Sequence, residues 1–110
     1  MVQPQQPIGI FDSGIGGLTV ASALAKALPN ERFLYFGDTA HLPYGEKSKS
    51  LITEYSVQIT LFLLEKGIKH LVIACNSASA AAYESVRALC ATHGVAVTNV
   101  IDPVVDFIQQ

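Results

Sequence analysis

Leu71-Val72-Ile73-Ala74 is an unbroken apolar run that ends on Cys75, Asn76 and Ser77 and then gives way to an alanine-rich helical pattern. A strand with one face in water alternates polar and apolar residues. A run without alternation predicts a strand buried on both faces, as in a parallel sheet covered by helices. Asn76 or Ser77 is a good N-cap for the helix that follows, which the pattern carries from about Ser77 to His93. Cys75 is thereby placed where a buried strand ends and a helix begins. Converging backbone N–H groups and the helix dipole favour an anion there, so a thiol should ionise more readily than its free value of about 8.5.

The rest of the chain repeats this alternation. Ile8-Gly9-Ile10-Phe11 predicts a first strand, ending at Asp12-Ser13 and a turn containing Gly14, Gly16 and Gly17. Leu18, Val20, Ala21, Leu24, Ala25 and Leu28 form a helical stripe that stops at Pro29-Asn30. Phe33-Leu34-Tyr35-Phe36 predicts a second strand, followed by Gly37-Asp38-Thr39 and a loop with Pro43-Tyr44-Gly45. A second helix starts near Ser48 or Ser50 and stops at Lys66-Gly67, with Leu51, Ile52, Tyr55, Ile59, Phe62 and Leu63 facing inward. Residues 95–101 predict a fourth strand, Asp102-Pro103 breaks it, and 104–110 read as the start of a fourth helix. The order β-α-β-α-β-α-β predicts an α/β fold, a parallel sheet flanked by helices.

Residues 1–7, rich in Gln and Pro, read as a flexible leader without the basic and apolar regions of a secretory signal. With 50 % hydrophobic residues, the 110-residue chain suffices for one core. A net charge of −2 with no cluster of Lys and Arg argues against a nucleic-acid partner. The apolar runs fall far short of the roughly 20 residues that span a bilayer, so no membrane partner is expected. Two cysteines make no disulfide framework in a domain of this size, which points to a reducing, cytoplasmic setting.

Parallel α/β sheets bind ligands beyond the carboxyl ends of their strands. Here those ends carry Asp12-Ser13, Asp38-Thr39 and Cys75-Asn76-Ser77, a polar site with two carboxylates and a thiol. Other chemistries fit less well. The glycine turn lacks the third glycine of the dinucleotide fingerprint, which would fall at Thr19, and there is no Walker loop. An aspartate-nucleophile phosphatase would want a second Asp at position 14, which is glycine. His41, His70 and His93 are too scattered for a metal site. Cys90 lies fifteen residues beyond Cys75, roughly 20 Å along a helix at about 1.5 Å per residue, so it reads as a buried structural cysteine outside the site. Tyr44 and Gly45 can be a loop corner, or can supply a hydroxyl and backbone N–H groups to a carboxylate ligand.

Four stretches together resemble the glutamate racemases of the cofactor-independent aspartate/glutamate racemase superfamily. They are Ile10-Phe11-Asp12-Ser13-Gly14-Ile15-Gly16-Gly17-Leu18-Thr19-Val20, Tyr35-Phe36-Gly37-Asp38-Thr39-Ala40, Pro43-Tyr44-Gly45, and Ile73-Ala74-Cys75-Asn76-Ser77-Ala78. Ser77 departs from the threonine more usual in the family but keeps the hydroxyl. The resemblance implies that Cys75 is one of two catalytic acid/base cysteines. It implies that Asp12, Ser13, Tyr44, Gly45, Asn76 and Ser77 hold the ammonium and carboxylate groups of glutamate, with Asp12 also assisting proton transfer. It implies no pyridoxal phosphate, no metal, a homodimer in the full-length enzyme, and a D-glutamate product for peptidoglycan. The second cysteine of the family lies in a second α/β domain, in a Cys-Thr-His context that this sequence does not contain. Residues 8–110 therefore read as an N-terminal racemase domain, cut short before the second one, with little turnover of its own. Racemisation of aspartate or another amino acid, or a non-catalytic interaction module, are the competing expectations.

Overall fold

The computed structural model describes residues 5–14 and 16–99. Four strands, β1 (Ile8–Asp12), β2 (Phe33–Gly37), β3 (His70–Ile73) and β4 (Ala96–Asn99), form one sheet in the order β2-β1-β3-β4. Every neighbouring pair is parallel. The helices are α1 (Leu18–Ala27), α2 (Lys49–Glu65) and α3 (Asn76–Ala91). Two short 3-10 turns, Thr39–His41 and Tyr44–Glu46, sit in what the sequence presents as an irregular loop. The α/β architecture expected from the apolar runs is the one observed. The end of the predicted fourth strand and the helix expected over 104–110 lie outside the described residues.

The strand period of two divides the core between the two faces. Ile8 and Ile10 of β1, with Val72 and Ala74 of the third strand and its exit, pack with Leu24 of α1. Phe11, Leu71, Ile73 and Cys75 point the other way, onto Ile52, Ile59 and Leu63 of α2 and Ala78, Ala82, Val86 and Cys90 of α3. The central strands β1 and β3 are buried on both sides, which is why their sequences show no polar alternation.

Helix ends follow side-chain chemistry, with one difference from expectation. Ser48 caps α2, its Oγ accepting from Leu51 N at 3.1 Å. For α3 the N-cap is Cys75, not Asn76 or Ser77, and the helix begins one residue earlier than the sequence pattern suggested. Cys75 keeps extended backbone angles (φ −138°, ψ 127°) and its sulfur accepts from Ala78 N at 3.4 Å, doing what a serine hydroxyl does at this position. Phe62 is the second correction. Expected inward on α2, it is 43 % exposed. Its ring meets Phe36 edge-on at 5.6 Å on the open side of the edge strand β2. At the amino ends of the strands, Gln6 Nε2 donates to Gly67 O at 2.7 Å and Lys69 N donates to Pro7 O at 2.8 Å.

Candidate functional site

Because all strands run the same way, their carboxyl ends open on one edge of the sheet, between the first turns of α1 and α3. A pocket of about 420 Å³ lies there, lined by Asp12, Ser13, Gly14, Gly16, Leu42, Ala74, Cys75, Asn76 and Ser77. Five of the residues singled out from sequence, Asp12, Ser13, Cys75, Asn76 and Ser77, thus share one cavity. Cys75, 8 % exposed, is at its edge with the core. Cys90 is fully buried in the last turn of α3, at the other end of the helix that Cys75 caps.

Asp12 is 2 % exposed and sits at the end of β1. Its Oδ2 accepts from Gly17 N and from the Tyr35 hydroxyl, both at 2.6 Å. Gly17 can come this close only because it lacks a side chain. A Cβ there would meet Ala74 O and Asp12 Cγ at 2.9 Å. The Tyr35 hydroxyl has Gly14 O 3.0 Å away as a second acceptor. Burial first, then the bond to Asp12 and its charge, pushes the Tyr35 phenol well above the usual tyrosine range.

Asp38, at the end of β2, anchors a second cluster. Its backbone N–H donates to Asp12 O at 2.8 Å, joining the two strand ends. Its carboxylate accepts from the Tyr44 hydroxyl at 2.6 Å and faces His41 Nδ1, 2.7 Å from Oδ2 and 2.9 Å from Oδ1. The His41 ring stacks on Tyr55 with centroids 3.8 Å apart. Burial, then the bond to Asp38 and its charge, holds the Tyr44 phenol far above its ordinary value, and Cys75 and Tyr55 add to the effect. The Tyr44 ring is therefore a core group, packed edge-on against Phe11 at 6.2 Å, with its hydroxyl turned to Asp38. Neither Tyr44 nor Gly45 lines the cavity; a Cβ at Gly45 would stand 3.8 Å from the Oγ of Ser77, which does.

Sequence reasoning passed over Tyr35 and Leu42. Tyr35 carried no signal in the residue spacing, since only the observed β1–β2 register puts it on the strand face of the residue opposite Asp12. Leu42 carried none, being one apolar residue in a loop. Among the described residues no group of three or more His, Cys, Asp or Glu is placed to hold a metal ion. Nor does any helix there have the length and apolarity to cross a membrane.

No protein-family model matches the chain. Individual proteins do. The glutamate racemase of Geobacter metallireducens is 54 % identical over 100 residues, which is 91 % of this chain and 36 % of that protein. The crystal structure of glutamate racemase from Thermus thermophilus, in complex with β-chloro-D-alanine, superposes with a TM-score of 0.84 at 48 % identity, covering 92 % of this chain and 38 % of the other. That of Francisella tularensis, in complex with D-glutamate, gives 0.85 at 43 % identity, over 90 % and 37 %. The chain spans little more than a third of the length of these relatives. Across that third, the chain matches glutamate racemases in sequence and in fold.

Proposed function

We propose that the protein racemises glutamate by moving the α-proton between two opposed thiols, one of them Cys75. The observation that supports this most directly is the seat of Cys75. Its sulfur caps α3, where first-turn N–H groups favour negative charge, and it lines one pocket with Asp12, Ser13, Asn76 and Ser77. The D-glutamate bound to the Francisella relative supports the choice of substrate.

In this reading the Cys75 thiolate takes the α-proton from one enantiomer. The electron pair of the broken C–H bond is delocalised into the substrate carboxylate and then collapses onto a proton from the opposite face. Asp12 receives the ammonium group. Ser13, Asn76, Ser77 and the Tyr44-Gly45 backbone hold the carboxylates, so the dipoles are in place before charge develops. Pyridoxal phosphate and metal have no part in the scheme. Two groups are needed because a single base tends to return the proton to the face it left. Cys90 is not the second: it is fully buried at the far end of α3, and burial pushes its thiol up to about 11. The second thiol is assigned to the portion of such enzymes beyond the third that this chain spans, in a second domain closing over the substrate. Residues 1–7 act as a leader to the first domain. The complete enzyme is a cytoplasmic homodimer whose D-glutamate serves peptidoglycan synthesis.

Circular dichroism of L-glutamate solutions tests this on the protein expressed from its complete reading frame. Loss of optical activity with the unsubstituted protein, abolished by Cys75→Ser, is the expected result. Undiminished turnover by Cys75→Ser, or faster turnover of L-aspartate than of L-glutamate, would overturn it. Full activity from residues 1–110 alone would overturn the two-thiol scheme.

A further inference from the structure

We infer that Tyr35 is the positioning residue for Asp12: its hydroxyl pins one carboxylate oxygen so that the other is turned to the substrate's ammonium group. This rests on the glutamate reading given above.

Asp12 lines the pocket while almost wholly buried. Its two donors among the described residues, Gly17 N and the Tyr35 hydroxyl, converge on Oδ2 at 2.6 Å. Oδ1 takes neither. Rotation of the carboxylate would break two short charge-assisted bonds together, so its orientation is set before any ligand arrives. Gly17 alone would leave one bond as a pivot. The tyrosine makes the second and fixes the plane.

The register of the sheet explains why residue 35 holds this post. Asp12 pairs with Gly37 and Ile10 with Tyr35. Residues two apart on a strand share a face, so Tyr35 reaches Asp12 diagonally across the β1–β2 ladder. Gly37 leaves that path open, and Gly14 O occupies the place where a Cβ at residue 37 would stand. Tyr35 stays protonated through the physiological range, since burial and the neighbouring carboxylate both oppose its ionisation. It serves as a fixed donor and takes no part in acid/base exchange.

The test is a double-mutant cycle of Tyr35→Phe and Asp12→Asn in the protein from the complete reading frame. D-glutamate binding is read by calorimetry in a Cys75→Ser background, and folding by thermal melting. Tyr35→Phe keeps the ring. It should melt close to the parent and weaken binding about tenfold, the scale of one lost bond to a charged group. In Asp12→Asn protein the same change should add less than about twofold, because the partner is already neutral. Equal effects of Tyr35→Phe in the two backgrounds would overturn the inference, as would unaltered binding. Where Tyr35→Phe melts early, Tyr35→His, which restores a donor, should recover binding in the Asp12 background only. Failure to do so counts against the proposal. An unsubstituted protein that does not racemise glutamate would instead overturn the functional reading, and with it this inference.

Discussion

Tyr44 donates its hydroxyl to Asp38 Oδ2 at 2.6 Å, and this bond ties the Pro43-Tyr44-Gly45 turn to the carboxyl end of β2. Tyr44 is 2 % exposed and Asp38 nearly as buried, so each satisfies a polar group that the other's removal would strand. Through Asp38 N and Asp12 O the same cluster is joined to the end of β1. The loop margin of the pocket is thus held from beneath by a buried polar pair.

Tyr44→Phe removes the donor and leaves the ring against Phe11. The expected loss is about 1–3 kcal/mol of stability, the cost of a buried charge deprived of one hydrogen bond. Urea unfolding followed by circular dichroism measures it. Asp38→Asn should cost less, since an amide oxygen can still accept from Tyr44. A larger loss for Asp38→Asn than for Tyr44→Phe would contradict this account.

The two neighbouring glycines of the first turn should respond differently. At Gly17 an added methyl would press on Ala74 O and Asp12 Cγ, both at 2.9 Å, and would displace the N–H bound to Asp12. At Gly16 a Cβ meets nothing within 4 Å. Gly17→Ala is expected to cost about 1–3 kcal/mol, as overpacking does, and Gly16→Ala less than about 1 kcal/mol. Thermal melts of the two variants side by side check the difference.

The two cysteines should separate cleanly in an alkylation experiment. Cys75 borders the pocket, whereas Cys90 is fully buried with its thiol pushed up to about 11. At pH 8 roughly one Cys90 molecule in a thousand is thiolate, the reactive form. Mass spectrometry after iodoacetamide treatment of folded protein should find Cys75 modified and Cys90 intact, with both modified in urea. Modification of Cys90 first would refute the assignment.

Alkaline pH should weaken the fold. The Cys90 thiol rises from its ordinary 9.0 to about 11 on folding, so the folded state favours its neutral form. That contribution is complete below about pH 9 and is lost as pH climbs through 11, amounting to roughly 2 kcal/mol. Tyr35 and Tyr44 shift in the same direction and add to the loss from about pH 10 upward. The melting temperature should fall between pH 9 and 11, less steeply in Cys90→Ala than in the parent.

Local chemistry alone settles the unbroken run 71–74, the glycine turn after Asp12 and the alternation of strand with helix. Each reflects a short-range requirement: two-sided burial, close approach or helical period. The strand-end rule then brought Asp12, Ser13, Cys75, Asn76 and Ser77 to one pocket without coordinates, because a parallel sheet has only one carboxyl edge. Cys75 as cap, Tyr35 as the partner of Asp12 and the inward Tyr44 ring were decided by tertiary structure. All three depend on register and on which side chain first reaches a buried polar atom, and neither is written in the spacing of residues along the chain. Phe62 makes the same point in reverse. Its position in the helical stripe directs it inward, but the sheet ends at β2, and no fifth strand among the described residues covers it.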